Sequence, residues 1–324
     1  MKNYYLIIMP LYLLSIMFSL SSNCWMSIWI GMEMNLLTFI FIILEKKTFN
    51  SNESCMKYFL IQSVGSLIFL FSVGISVQMT YVYETFSINA LVPPLALMLK
   101  SGIAPLHMWT PDVSMKLSPL SLFLFISLQK LIPMFIMFSS WTILMKWVIP
   151  VNMVIGSMGG ITQASINKML IFSSINNSGW MMLSLTESTF LFILFFIIYF
   201  LMNCILLTFI WIEKIKWISQ IKSQNFPNKI LITSVMMSLS GLPPFMGFIP
   251  KWIILKKIIL FLPLVSLISI IMSIFTMFFY LKITINMLLY SSLIKKWTMI
   301  FSKAPMSLFF LLNLTSSLLF IFLT

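Results

Sequence analysis

Four ionisable residues lie in the middle of apolar stretches of the sequence. Lys100, Lys130 and Lys251 each have a helix-breaking Gly or Pro close by, and Glu33 is the fourth. A charge at the centre of a bilayer costs about 3 kcal/mol on insertion scales, so it persists where it faces protein or water. Burial away from water disfavours the ammonium form of a lysine, which can then exchange its proton near neutral pH. We therefore expect these residues to lie inside a membrane and to face protein or water there rather than lipid.

Two of the lysines lie beside interrupted helices. The stretch 96–111 breaks at Gly102 and Pro105, and 238–252 breaks in the same way beside Lys251. Such breaks free backbone carbonyls that lipid cannot satisfy but a protein-lined cavity can. A broken helix with a titratable group at mid-depth indicates an ion path. The structural alternative is a kinked helix whose lysine extends to the lipid headgroups.

Two further polar residues follow the first break. His107 lies close to the end of this helix, as either a hydrogen-bonded interfacial residue or a proton carrier. The turn 110–112 is expected to end the helix, with Asp112 as a cap or loop residue.

The composition is that of an integral membrane protein. The 324 residues are 60% hydrophobic and 8% charged, with a mean hydropathy of +1.05, which excludes a soluble domain. The net charge of +13 comes from lysines scattered through loops and spans, so we expect no nucleic-acid partner. Three separated cysteines and one histidine predict no metal or cofactor site in this chain. The glycine-rich run 156–160 predicts close helix packing rather than dinucleotide binding.

The apolar stretches predict about eleven membrane spans, since a span needs about 20 residues. They are 4–21, 25–44, 57–80, 87–108, 118–140, 147–164, 168–185, 189–212, 229–256, 262–289 and 304–324. The two broken spans are each fourth in a run of five and, because five is odd, run in opposite directions. The expected fold is therefore all-α, with inverted repeats over 1–140 and 141–290 and a final loop and helix over 291–324.

The segments between spans give the orientation. Residues 45–57 are expected to form a short polar loop, Lys168 a loop anchor, and Lys282 a lysine that extends to the interface. Thirteen of the sixteen loop lysines fall on the side of the N-terminus, and Lys146, Lys256 and Lys257 fall opposite. The excess of lysine predicts an N-terminus in the matrix or cytoplasm, with the C-terminus across the membrane.

Three motifs, at 31–37, 100–113 and 241–252, resemble subunit 2 of mitochondrial NADH dehydrogenase. This family belongs to the antiporter-like part of respiratory complex I, and the match runs in order through nearly the whole chain. The resemblance implies that Glu33, Lys100, Lys130 and Lys251 are the membrane-embedded residues of the proton path. Animal members lack three of the fourteen bacterial spans, which agrees with eleven.

Two positions depart from the family pattern. Asn167 stands where relatives usually have arginine, and Asn177 stands where many have histidine. Because an asparagine side chain can hydrogen-bond but cannot carry a proton at physiological pH, we assign Asn177 no relay role.

The resemblance implies a core membrane subunit of complex I that translocates protons without a redox site of its own. NADH, FMN, iron–sulfur clusters and ubiquinone would be bound by partner subunits of a hetero-oligomer. Other membrane-arm subunits and phospholipid, including cardiolipin, are the expected partners. The expected location is the mitochondrial inner membrane, with the N-terminus in the matrix and the C-terminus in the intermembrane space.

Two other functions remain open from the sequence. A free-standing cation/proton antiporter would share the fold and the charges. A structural subunit would use its lysines to bind neighbouring chains or cardiolipin headgroups, although headgroups lie about 15 Å from mid-depth.

Glu33 and Lys100 are expected to face each other. Their spans run in the same direction, and no other acid lies within a span. We predict side chains within roughly 8 Å, the reach of a water-bridged pair. Loosening this pair would then release the proton held by Lys100.

Overall fold

The structure, a computed structural model, describes residues 2–45, 48–79, 91–218, 220, 226–243 and 245–289. Within these ranges the chain forms helices and turns, with one isolated antiparallel bridge between Ser165 and Trp217. The chain divides into two compact units, Met1–Met145 and Lys146–Thr324. Each unit contains one of the two helix breaks expected from the sequence.

Among its described residues, the first unit contains seven α-helices and one 3-10 turn. They are α1 (Lys2–Ser21), α2 (Trp25–Ile43), α3 (Phe49–Met79), α4 (Val92–Ser101), α5 (Trp109–Ser114), α6 (Pro119–Ile126), the 3-10 turn (Leu128–Lys130) and α7 (Leu131–Ser140). Helices α1 to α4 pack in sequence, and α7 contacts α1 and α4. Gly31 lets α2 approach α1 closely, since a Cβ there would lie 2.7 Å from Ser19 Cβ.

The second unit is arranged around one buried helix. Its helices are α8 (Thr142–Ile161, starting just before the unit boundary), α9 (Ile166–Glu187), α10 (Thr189–Glu213), α11 (Phe226–Ser240), α12 (Phe248–Ile258) and α13 (Pro263–Leu289). Helix α9 is buried at nearly every position, and α10, α12 and α13 pack on it. Protein on all sides of α9 explains its many serines and asparagines, which would be costly against lipid.

The predicted close packing at the glycine run is confirmed. A Cβ at Gly156 would lie 2.5 Å from the backbone nitrogen of Asn176, and one at Gly159 would meet the ring of Phe172. Asn152 of α8 also donates hydrogen bonds to Ile175 O (2.8 Å) and Ser178 Oγ (2.7 Å) of α9. The glycines therefore bring α8 close enough for polar contacts with α9.

The predicted polar loop 45–57 is wrong from Phe49 onwards, because α3 begins at that residue. Thr48 and Ser51 cap this helix reciprocally. Thr48 N donates to Ser51 Oγ (3.1 Å), and Ser51 N donates to Thr48 Oγ1 (3.2 Å). Glu53 and Lys57 then pair at 3.0 Å one turn apart. Local capping and this i,i+4 pair extend the helix through polar residues.

The predicted turn 110–112 is also wrong, because it lies inside α5. Pro111 is in the first turn of that helix, where its missing N–H costs little. Lys168, expected in a loop, lies in the first turn of α9, and Lys146 lies within α8. Asp112 is exposed in the first turn of α5, where an acidic side chain suits the helix dipole.

Six helical segments in the described part of the chain are long and apolar enough to cross a membrane. They are Trp25–Ile43, Phe49–Gly74, Pro119–Ser140, Leu144–Ile161, Thr189–Glu213 and Pro263–Asn286. Shorter apolar helices cover Leu6–Ser21 and Lys229–Ser240. The predicted eleventh span, 304–324, and the start of the fourth, 87–90, lie outside the described residues. The count of eleven and the inverted relation of the repeats stay predictions.

Candidate functional site

The first helix break follows directly from Gly102. Helix α4 ends at Ser101, and Gly102 takes a left-handed conformation with φ 64°. Gly102 N donates to Leu99 O (3.3 Å) and Ile103 N donates to Met98 O (3.1 Å), which together form a Schellman motif. The predicted break at this position is confirmed, and it places Lys100 in the last turn of α4.

Side chains after the break complete its hydrogen bonding. Trp109 Nε1 donates to Leu99 O (3.2 Å), one of the carbonyls at the end of α4. His107 is buried between α4 and α5, and its Nδ1 lies 3.2 Å from Pro105 O. Because a carbonyl can only accept, this contact is a hydrogen bond when Nδ1 carries the proton. His107 therefore has a structural contact within the turn, and its role in proton transfer stays a prediction.

Glu33 and Lys100 form an ion pair. Lys100 Nζ lies 3.9 Å from Glu33 Oε1, so the prediction that they face each other within 8 Å is confirmed. The lysine side chain is 4% exposed and the glutamate 29% exposed. A separation of 3.9 Å is too long for a hydrogen bond, so the attraction is electrostatic. The pair is thus close enough for electrostatic attraction but lacks a direct hydrogen bond.

A small cavity adjoins Lys100 inside the first unit. Its volume is about 20 Å³, and its walls include Asn35, Tyr58, Gln62 and Gln129. Such a volume accommodates about one water molecule. Gln62 Nε2 also donates to Lys100 O (2.8 Å), which ties α3 to the end of α4. Lys100 therefore has polar surroundings at the depth where its helix ends.

Lys130 lies at another interruption of a helix. The predicted fifth span consists of α6, the 3-10 turn and α7, and Lys130 is the last residue of that turn. Its side chain is buried, with the residue 5% exposed. A 3-10 turn within a helix often marks a functional hinge or strain. Lys130 is thus buried next to a local change in backbone geometry, as Lys100 is.

The second helix break repeats the geometry of the first. Helix α11 ends at Ser240, and Gly241 is left-handed with φ 84°. Gly241 N donates to Ser238 O (3.1 Å) and Leu242 N donates to Met237 O (3.2 Å), again as a Schellman motif. The predicted interruption of the ninth span is confirmed, and α12 resumes the helix at Phe248.

Lys251 reaches back across this break. Its Nζ donates to Ser240 O (2.8 Å) and Leu239 O (3.3 Å), the last carbonyls of α11. It also lies 5.6 Å from the ring centroid of Trp180, within range of a cation–π contact. Because a helix C-terminus carries partial negative charge, this position stabilises an ammonium. Lys251 is 6% exposed, so it is a buried cation held by the helix end.

Asn177 lines the cavity beside Lys251. This cavity also measures about 20 Å³, and Tyr199 and Ser238 contribute the other polar side chains of a mainly apolar wall. Asn177, singled out from the sequence as a departure from the family pattern, therefore does face the space next to the buried lysine. The sequence identified the departure at Asn177, but its neighbours are visible only in the fold.

Gly241→Ala is expected to damage this site. A Cβ at Gly241 would lie 2.8 Å from Lys251 Cδ, and a left-handed backbone costs a non-glycine residue about 1–2 kcal/mol. We expect a lower thermal unfolding temperature and weaker proton transport in the protein purified together with its partner subunits. Gly74→Ala is the control, because no atom lies within 4 Å of its added Cβ. Equal behaviour of both variants would show that the Gly241 conformation is dispensable.

The polar side chains around Lys100 were not predicted from the sequence. Asn35, Gln129 and Tyr58 come from three separate elements and are joined by hydrogen bonds. Asn35 and Gln129 could have been noticed in the sequence, because they are amide residues within apolar spans. Polar groups at such positions indicate function or helix contacts.

The fold and site define a helical membrane protein in which buried lysines adjoin interrupted helices. Residues 22–276 match the family described as NADH:quinone oxidoreductase/Mrp antiporter, TM. The chain belongs to this family.

The similar proteins include NADH-ubiquinone oxidoreductase chain 2 from two animals. The chain of Anopheles gambiae is 34% identical over 292 residues, covering 86% of this chain and 84% of the relative. The chain of Didelphis virginiana is 34% identical over 286 residues, covering 84% and 82%.

Solved structures share the fold at lower identity. A chain of respiratory complex I from Thermus thermophilus with bound Aureothin has a TM-score of 0.81 at 17% identity, over 98% of this chain and 78% of that one. A chain of the Mrp complex from Dietzia sp. DQ12-45-1b has a TM-score of 0.69 at 17% identity, over 85% and 59%.

Proposed function

We propose that this chain is an antiporter-like membrane subunit of respiratory complex I that carries protons through Glu33, Lys100, Lys130 and Lys251. The observation that carries the proposal is shared by the two units. In each, a half-helix ends at a left-handed glycine, and a buried lysine lies at that end. Similarity to chain 2 proteins over most of the chain supports the assignment of this chain to complex I.

The geometry suits reversible protonation. Burial away from water disfavours an ammonium, whereas a helix C-terminus and a nearby carboxylate favour it. At Lys251 the favourable groups are the carbonyls of Leu239 and Ser240, and at Lys100 they are the α4 terminus and Glu33. Because these opposing effects act on the same atom, a small movement of either partner changes the proton occupancy of the lysine.

In this proposal Glu33 is the switch. When its carboxylate approaches Lys100 the ammonium is retained, and when it withdraws the proton can pass to water. The 3.9 Å separation and the partial exposure of Glu33 support a carboxylate that can move. Water chains would link Lys100, Lys130 and Lys251, with the driving force supplied by redox chemistry in other subunits.

We also propose the partners of this chain and the membrane in which it lies. The partners would be other membrane-arm subunits of a hetero-oligomer in the mitochondrial inner membrane, together with phospholipid such as cardiolipin. NADH, FMN, iron–sulfur clusters and ubiquinone would lie in partner chains, and this chain would have no redox site of its own. The animal origin of the chain 2 relatives supports the mitochondrial location.

Purification from native membranes in mild detergent tests this function. We expect the chain to co-migrate with an assembly that oxidises NADH and reduces ubiquinone. A free-standing antiporter, the second candidate, would instead exchange cations for protons without such an assembly. Isolation of an active chain without redox partners would overturn the proposal.

The lysine distribution predicts the topology. In a background without reactive native cysteines, Gln220→Cys after α10 should react with an impermeant maleimide from the matrix side. Lys257→Cys, in the last turn of α12, should react from the opposite side. Labelling of vesicles of known orientation, with mass-spectrometric detection, measures both. Reversed labelling would show that the N-terminus does not face the matrix.

A further inference from the structure

A chain of hydrogen bonds joins three elements beside Lys100. Asn35 Nδ2 of α2 donates to Gln129 Oε1 of the 3-10 turn (2.7 Å), and Gln129 Nε2 donates to Tyr58 Oη of α3 (2.9 Å). Asn35 and Tyr58 are 5% and 2% exposed. All three residues and Lys100 line the same cavity. These hydrogen bonds therefore hold in place the walls of the cavity beside Lys100.

Two acceptor atoms in this region have no hydrogen-bond partner among the described residues. They are Asn35 Oδ1 and Glu33 Oε1, and both are buried. Buried acceptors in folded proteins normally receive a hydrogen bond from protein or ordered water. Asn35 Nδ2 is committed to Gln129, so its oxygen is the atom left to bind a further donor. A water molecule is a donor that the cavity can hold.

We propose that Asn35 and Gln129 position a water molecule that carries the proton to and from Lys100. Asn35 Oδ1 accepts a hydrogen bond from this water, and Gln129 holds the Asn35 amide in the required orientation. Tyr58 in turn holds Gln129. These are positioning residues, because the transferred proton moves between water and the lysine nitrogen. The inference rests on the proposed function of Lys100 as a proton carrier.

The same arrangement connects the water to the next lysine along the chain. Gln129 immediately precedes Lys130 in the 3-10 turn. A shift of that turn therefore moves Gln129, and with it the amide that orients the water. The hydrogen bond between Asn35 and Gln129 therefore couples a movement of Lys130 to the surroundings of Lys100.

The test uses the assembled complex in proteoliposomes with two variants, Asn35→Leu and Gln129→Met. Both replacements are apolar and similar in size, so they remove hydrogen bonds with little change in volume. We expect NADH-driven proton pumping to slow about tenfold, the effect of losing roughly one hydrogen bond on the transfer path. An infrared O–H stretch sensitive to oxygen-18 water should disappear in both variants. Gln163→Met is the matched control, because the Gln163 side chain donates to Gly159 O and Thr162 Oγ1 and is not among the residues that line the cavity beside Lys100.

The possible results separate the inference from the proposed function. Normal pumping in Lys100→Met would overturn the function itself. Blocked pumping in Lys100→Met, with normal pumping and an unchanged water band in Asn35→Leu, would overturn the inference alone. Slower pumping with the band retained would also overturn it, since the amide would then be structural. If Asn35→Leu does not assemble, proton pumping and the water band are measured in Gln129→Met and Tyr58→Phe, and the same results support or overturn the inference.

Discussion

Replacing Lys251 by methionine is expected to reduce proton pumping by about a hundredfold or more, within the range contributed by one positioned proton-transfer group. Methionine fills a similar volume but carries no exchangeable proton. The variant also leaves Leu239 O and Ser240 O without their lysine donor. The Schellman bonds of Gly241 and Leu242 remain, so α11 should still end at the same residue. We therefore expect an assembled complex that no longer transfers protons past this point.

Lys282→Met is the control for this experiment. Lys282 lies in the apolar helix α13, but its side chain is exposed, so it can extend to the membrane surface. Proton pumping and NADH oxidation should be measured in proteoliposomes of both variants, with assembly checked by native electrophoresis. Normal pumping in an assembled Lys251→Met complex would exclude this lysine from the path. Equal losses in both variants would indicate a general effect of removing positive charge.

The main features of the site were predictable because they follow from the cost of charges and broken helices in a bilayer. Lys100, Lys130 and Lys251 could be identified from their apolar surroundings, and all three are buried. The two breaks were predictable from glycine and proline. The pairing of Glu33 with Lys100 followed from elimination, since no other acid lay within a span.

Other features depend on contacts that the sequence does not display. The start of α3 at Phe49 depends on reciprocal capping by Thr48 and Ser51, which a polar composition conceals. The network of Asn35, Gln129 and Tyr58 joins residues up to 94 positions apart. The network depends on how α2, α3 and the 3-10 turn pack together. The helical periodicity of a single element does not predict that packing.

Lys251 illustrates both cases. Its burial beside a break was predictable, but its direction was not, because the lysine belongs to α12 and bonds to the end of α11. The cavity beside Lys251 is only partly polar, with Asn177, Tyr199 and Ser238 set in an apolar wall. Carbonyls of the broken helix supply the polarity that side chains do not.

Glu33→Gln is expected to slow proton pumping about tenfold while leaving the complex assembled. At 3.9 Å and an effective dielectric constant of about 20, the attraction between Glu33 and Lys100 is about 4 kcal/mol. Partial exposure of the glutamate reduces this value, so we expect a smaller effect than for removal of a lysine. Glutamine has the same shape but no charge, so the ammonium of Lys100 loses its counter-ion. Lys100 should then hold a proton for a smaller part of each cycle.

Glu53→Gln is the matched control, because it removes a glutamate of the same unit that also pairs with lysines. Glu53 contacts Lys57 at 3.0 Å and Lys116, and these side chains are 27–47% exposed. Exposed ion pairs contribute about 0–1 kcal/mol, so this variant should pump normally. Proton pumping at several pH values measures both variants. A charge-dependent switch predicts that the Glu33→Gln defect grows as pH rises, since the weakly held proton is lost first. A normal rate across the pH range in Glu33→Gln would place the switch at another residue.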